Sequence, residues 1–220
     1  MTSTFDRVLD ELGAAVVTGA HPAWERRSID QLVERTGASR SIVREAVRVL
    51  VGLGLLSAGR RVGLRVLPVT EWDVLDPRVI GWRLAGPDRE AVLVELRALR
   101  RAVEPAAAAA AAQRASDASC GDGPEALLNA ADRLASAAGA GDAATFLQAD
   151  RDLHRLVLAL SGNAMYGRLH RVVGRALDER VGIGPDAHDV RLHADLARAV
   201  VDGDPAGAAA AMCEIIDRAT

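Results

Sequence analysis

Apolar positions recur at helical spacing over Phe5, Val8, Leu9, Leu12, Ala15 and Val16, which predicts a helix over residues 4–18, ended by Gly19 and Pro22. A shorter set, Ile29, Leu32 and Val33, opens on Ser28-Ile29-Asp30-Gln31, an S-x-x-Q capping box, and closes at the tight turn Thr36-Gly37-Ala38. The next stretch, SRSIVREAVRVL from Ser39 to Leu50, is a helix with two opposed faces. At about 100° per residue Ile42, Ala46, Val49, Leu50 and Leu53 share one arc, while Arg40, Arg44 and Arg48 fall in the opposite quadrant. Gly52 and Gly54 stop it, and Leu55–Ser57 and Val62–Val66 follow as two short strands around Ala58-Gly59-Arg60-Arg61.

Helix, turn, helix and a basic-tipped hairpin make a winged helix-turn-helix, expected over residues 1–68. Beyond the linker at Val66-Leu67-Pro68-Val69 the pattern is helical to the end, with neither a strand pattern nor a repeat period. Asp76-Pro77 caps a short helix through Val79, Ile80 and Trp82, and Gly86-Pro87 breaks it. Further helices are expected at 88–115, interrupted or bent near Pro105, and at 124–138, 142–161, 164–181, 189–202 and 205–219. The fold class is therefore mainly α, with residues 69–220 forming an all-α antiparallel bundle of six or seven helices.

Composition refines this in two ways. The net charge of −3 over 220 residues looks wrong for a nucleic-acid binder until it is divided. Residues 1–68 hold 10 Arg against 7 acids, or +3, and the remainder holds 17 against 23, or −6, so the positive charge accompanies the Arg-faced helix. The two cysteines, Cys120 and Cys213, give neither a disulfide framework nor metal-knuckle spacing, and no apolar run approaches the roughly 20 residues that span a bilayer. A reduced cytoplasmic setting with no membrane contact is expected.

An Arg row could be a solvated face only. Its context favours DNA. Ser39 or Ser41 can cap the helix, whose first N–H groups suit a phosphate oxygen, and Arg40, Arg44 and Arg48 would divide between base edges and phosphates, with Arg60 or Arg61 reaching from the wing.

The bundle carries ionisable residues where its apolar stripes should continue. Asp150 and His154 lie within the arc of Phe146, Leu147, Leu153, Leu156, Val157 and Leu160. His193 sits amid Leu196, Ala197, Val200 and Val201, and Arg100 amid Leu93, Leu96 and Val103, with Glu104 one turn on. Buried charges are costly unless paired or ligated, so three intrusions in one bundle suggest a common polar site. Arg100 and Glu104 could equally satisfy each other as an i, i+4 pair, and a lone inward His is more often a hydrogen-bonded core residue. Asp and His at i, i+4 together with a second inward His suit Zn²⁺ or a similar divalent ion.

Leu32, Gly37, Ser39-Arg40, Val43-Arg44-Glu45-Ala46-Val47, Leu50 and Gly54-Leu55, with Gly59 and Gly63 in the wing, resemble the DNA-binding signature of GntR-type transcription regulators. Many members carry an Arg where this chain has Asp30, a contact that Arg26 or Arg27 could replace. Residues from about 70 onward resemble the all-helical FCD effector domain of the FadR-like subgroup, through Glu95-Leu96-Arg97, Arg100, Glu104-Pro105, Asp150-x-x-x-His154, Ser161-Gly162-Asn163, His193, Gly203-Asp204 and Ala211-Met212. The resemblance implies a metal held by Asp150, His154 and His193, with the expected fourth ligand position occupied by Ile215. Three ligands leave a position for water or an effector carboxylate.

The resemblance further implies a homodimeric repressor on a palindromic operator, released by a small carboxylate bound through Arg100, Glu104 and Asn163. The segment Glu71-Trp72-Asp73-x-Leu75-Asp76-Pro77, with Val79 and Trp82, resembles a branch that responds to sugar acids. Two rival readings are an all-α metal hydrolase on a DNA tether, disfavoured by the lack of a nucleophile motif or inward base, and a purely architectural dimer, disfavoured by the inward Arg100.

Overall fold

The computed structural model describes residues 3–21, 26–59, 63–117, 120–179 and 186–218. It divides into two compact units, Met1–Leu93 and Val94–Thr220.

The first unit begins with α1 (Thr4–Val17), capped by Ser3, and continues through β1 (Arg26–Arg27), α2 (Ile29–Thr36), α3 (Arg40–Gly52), β2 (Leu56–Gly59), β3 (Gly63–Val66), a single 3₁₀ turn at Val69–Glu71 and α4 (Pro77–Leu84). The capping box forms as the sequence predicts: the Ser28 hydroxyl accepts from the Gln31 amide at 3.2 Å, and the Gln31 side chain accepts from the Ser28 amide at 2.8 Å. Gly37 ends α2 in the left-handed region at φ 63°. The three strands form an antiparallel sheet in the order β1-β3-β2, with Arg27 opposite Leu64 and Ala58 opposite Leu64 on the other side.

Val8, Leu9, Leu12, Val43, Ala46, Val47, Leu50, Leu55 and Val66 make the core. The buried arc of α3 is centred on Val43, Ala46, Val47 and Leu50, with Ile42 and Val49 only part-buried, so it is rotated slightly from the expected one. The domain boundary also moves. Residues 69–93 were expected to belong with the bundle, yet Val79 and Trp82 of α4 pack into the first core. Trp82 stacks on α1 at Gly13, where a Cβ would lie 2.5 Å from the indole, and its Nε1 donates to Asp10 at 3.1 Å.

The division falls inside α5 (Arg89–Arg114), which runs unbroken through Pro105 rather than being interrupted there. The second unit holds the rest of α5 with α6 (Gly123–Ala140), α7 (Ala143–Leu160), α8 (Ala164–Arg168), α9 (His170–Asp178), α10 (Ala187–Val201) and α11 (Pro205–Arg218). The single helix expected at 164–181 is thus two, α8 and α9. The buried face of α5 is Ala107, Ala108, Ala111 and Ala112, small enough for neighbouring helices to approach closely, and Leu153, Val157, Leu196, Val200, Met212 and Ile215 fill the space around it. No described helix is long and apolar enough to cross a membrane.

Candidate functional site

In the first unit α2, α3 and the hairpin enclose a groove of about 600 Å³. Arg27, Arg40, Arg44 and Arg48 line it, with Asp30 as the single acid among the described residues that do so. Arg40, Arg44 and Arg48 are all exposed. Ser39 caps α3, accepting from the Ile42 amide at 3.4 Å, and Ser41 lies 3.0 Å from the Ser39 hydroxyl. Gly63 sits at the mouth of the hairpin with φ +74°, and a Cβ there would come within 2.9 Å of the Arg27 carbonyl oxygen. Glycine is therefore required by both torsion and space. The expected wing contacts, Arg60 and Arg61, lie outside the described residues.

Two features in and behind this groove escaped the sequence reading. His21, buried in the loop after α1, places Nδ1 at 3.1 Å from the Arg27 guanidinium and Nε2 against Arg35. A single residue between Gly19 and Pro22 has no periodicity to reveal it. Across the groove Asp30 pairs with Arg40 at 2.7 Å, while within α3 Glu45 pairs with Arg48 at 2.7 Å.

The second site lies inside the bundle. Arg100 and Glu104 come from α5, Asp150 and His154 from α7, and His193 from α10, and each is buried. Arg100 Nε donates to Glu104 Oε1 at 2.6 Å, so the i, i+4 pair exists. It is not self-contained, because the other carboxylate oxygen of Glu104 meets His154 Nδ1. On its far side the His154 ring turns Nε2 toward Asp150 Oδ1 at 3.4 Å without forming a hydrogen bond, and His193 Nε2 approaches the same oxygen at 3.0 Å. His193 Nδ1 donates to the Asp189 backbone carbonyl at 2.7 Å. Arg100 Nη2 is buried without a hydrogen-bond partner.

Electrostatics follow from this geometry. Burial alone would raise the Glu104 carboxyl, but Arg100 and His154 bring it down to about 2. Burial would likewise lower His154, yet Glu104 and Asp150 on either side raise it to about 9. Asp150 is held well below the usual carboxylate range, its burial outweighed by the two imidazoles.

Asp150, His154 and His193 each offer a ligand atom, and these atoms lie within 4.8 Å of one another. Both rings have the orientation a metal ligand needs: Nδ1 is engaged by a carboxylate or a backbone carbonyl, and Nε2 faces inward. His193 Nδ1 donates to the Asp189 carbonyl and Nε2 lies 3.0 Å from Asp150 Oδ1, a contact that a proton or a metal ion can bridge. The residues present fit a divalent ion.

Other expectations fare differently. Asn163 is exposed, and its side chain caps α8 by accepting from the Met165 and Tyr166 amides, so it is not brought to the buried cluster. Ile215 is fully buried among the apolar residues of the bundle and offers no ligand atom. Asp189 was missed, although its position four residues before His193 repeats the spacing of Asp150 and His154; its carboxylate lies 3.9 Å from His193 Nδ1.

Residues 95–218 match the FCD domain family. Over 218 residues the chain is 30% identical to the galactonate operon transcriptional repressor of Escherichia coli K12, covering 93% of this chain and 91% of that one. This chain is a GntR-type transcription regulator of the FCD-domain group. An uncharacterized HTH-type regulator of the same organism, YieP, is 34% identical over 82 residues, 37% of this chain and 36% of that one. Among solved structures, the Listeria monocytogenes regulator Lar is similar with a TM-score of 0.61 at 15% identity, covering 100% of this chain and 95% of its own. A Streptococcus agalactiae GntR protein is similar with a TM-score of 0.55 at 23% identity, covering 97% of each chain. These two likenesses concern the fold, a winged helix-turn-helix joined to an all-helical FCD domain. GntR-family members are regulators that bind DNA rather than enzymes, which sets aside the metal-hydrolase alternative.

Proposed function

We propose that this GntR-type regulator is a homodimeric repressor that binds a palindromic operator and is released by a small sugar acid. The observation that carries the ligand response is the buried Arg100–Glu104–His154–Asp150–His193 cluster, in which Arg100 keeps Nη2 without a partner. A burial this complete is costly for a guanidinium N–H, and an anion would satisfy it.

Asp150, His154 and His193 would hold a divalent metal, Zn²⁺ or similar, with Glu104 and the Asp189 carbonyl fixing the two rings. Such an ion supplies a Lewis-acidic position at which a carboxylate can complete the ligand set. Charge favours the same outcome. Exchanging one proton for a divalent ion adds one positive charge to the cluster, which favours an anion beside it.

The sugar-acid preference is supported by the relative named for the galactonate operon, and by the Glu71–Trp82 segment that resembles aldonate-responsive members. Arg44 and the other groove arginines would engage DNA, and the effector would act by preferring one arrangement of the dimer's DNA-binding units. Regulation of transcription places this activity in the cytoplasm. Titration of galactonate and other aldonates into metal-loaded protein tests the reading: a rise in Tm with one of them, absent in Arg100→Ala, is expected. No rise with any aldonate would remove the sugar-acid assignment.

A further inference from the structure

Asp30 is an acid in a wall built to face phosphates. Among the residues lining the groove it stands against Arg27, Arg40, Arg44 and Arg48, and its side chain is 71% exposed. A carboxylate there repels any phosphate that comes near, so it lowers general affinity for DNA. Its place in the first turn of α2 suits the helix dipole, but that role does not require it to reach across to α3. It does so: Asp30 Oδ1 meets Arg40 Nη2 at 2.7 Å. The pair is exposed on both sides, so it contributes little to folding stability.

Its effect is on geometry. Asp30 draws one nitrogen of the Arg40 guanidinium toward it as an ion pair, which biases the direction of the remaining planar fork of N–H groups at the start of the recognition helix. A fork so held is matched to the O6 and N7 of guanine, while the neighbouring carboxylate discourages a phosphate from taking its place. Arg44, by contrast, has no carboxylate partner among the described residues and is free to swing to the backbone.

We infer that Asp30 is a specificity-determining positioning residue: it commits Arg40 to a guanine in each half-site and withholds it from the phosphate backbone. The inference rests on the reading that α3 enters the DNA, and it adds which arginine reads and what makes it read.

The test uses the full chain. Duplexes are selected from a random pool with wild-type protein, Asp30→Asn, Asp30→Ala and Arg40→Ala, and binding to selected and random duplexes is measured across a salt series. Both Asp30 variants should melt as wild type does and bind random duplex more tightly. In each, the salt slope should steepen by about 0.9, one added phosphate contact. Discrimination for one guanine should fall by at least about fivefold, the lower end of what a bidentate base contact supplies. Arg40→Ala should lose preference at that same base, and adding Asp30→Asn to it should change the preference no further. Unchanged base preference in Asp30→Asn, whatever its overall affinity, would overturn the proposal. So would a loss of preference at a base that Arg40→Ala leaves intact. Arg44→Ala runs alongside: if it binds selected duplex as wild type does, the groove itself has been misread, and that failure is distinct from a fault in the role given to Asp30.

Discussion

Replacing Glu104 by Gln changes one oxygen to an amide nitrogen and leaves the volume untouched, so the substitution probes charge and hydrogen bonding without opening a cavity. Glu104 accepts from Arg100 with one oxygen and faces His154 Nδ1 with the other, and all three residues are buried. A glutamine has one acceptor. Whichever way it turns, an NH₂ group meets either the guanidinium or the imidazole N–H. Removing one partner from a buried ion pair costs about 3–5 kcal/mol. At about 2–4 °C per kcal/mol for a chain of this size, metal-free Glu104→Gln should melt roughly 6–20 °C below wild type. The second effect concerns metal. Loss of the carboxylate that orients a His ligand lowers metal affinity about 10–100-fold. At a fixed excess of Zn²⁺ the ion should therefore stabilise the variant by about 1.4–2.7 kcal/mol less than it does wild type. Thermal melts with and without Zn²⁺, and competition against a chelator, read both quantities. A variant that melts with wild type and holds Zn²⁺ equally well would refute the idea that Glu104 ties Arg100 to the metal ligands.

Further outcomes follow from the same geometry. His154 is raised to about 9 from its usual 6.5, so the stability it lends the metal-free protein is fully present below 6.5 and is lost as pH rises through 9; melting temperature without metal should fall across that window. Because a metal must take the place of that proton, Zn²⁺ uptake near neutral pH should release it, which calorimetry in two buffers of different ionisation enthalpy would detect as a buffer-dependent heat; identical heats would contradict this. Glu104, lowered to about 2 from 4.5, contributes stability present above 4.5 and lost as pH falls toward 2. Arg44→Ala should abolish binding to duplexes selected by wild type while leaving the melt intact, and unchanged affinity would refute its role. Gly63→Ala forces a Cβ against the Arg27 carbonyl at φ +74° and should cost about 1–3 kcal/mol, read as a lower Tm with weakened DNA binding.

Much of the fold is legible in the sequence because local signals act at short range. The Ser28–Gln31 capping box, the Gly37 stop and the Arg face of α3 all follow from residues within a few positions of one another. What was hidden depends on partners distant in the chain. The two-residue strand β1 has no alternation of its own and exists because Arg26 and Arg27 pair with Arg65 and Leu64. Trp82 reads as a bundle residue until Gly13 and Asp10, some seventy positions earlier, are seen to receive it. In the buried site, inward Asp150, His154 and His193 show in the helical phase, but the bond from Glu104 to His154 spans 50 positions and leaves no local mark. Asn163 stands apart for the opposite reason: an Asn before a short helix is as good a cap as a ligand, and here it caps α8.

The central claim is that the buried cluster governs DNA occupancy, and fluorescence anisotropy of a selected operator duplex tests it most directly. Galactonate is titrated into complexes of metal-loaded wild type and of Arg100→Ala, the latter having first been shown to bind the duplex. The account predicts that wild type dissociates as galactonate rises while Arg100→Ala stays bound. Release of both proteins at the same galactonate concentration would contradict it.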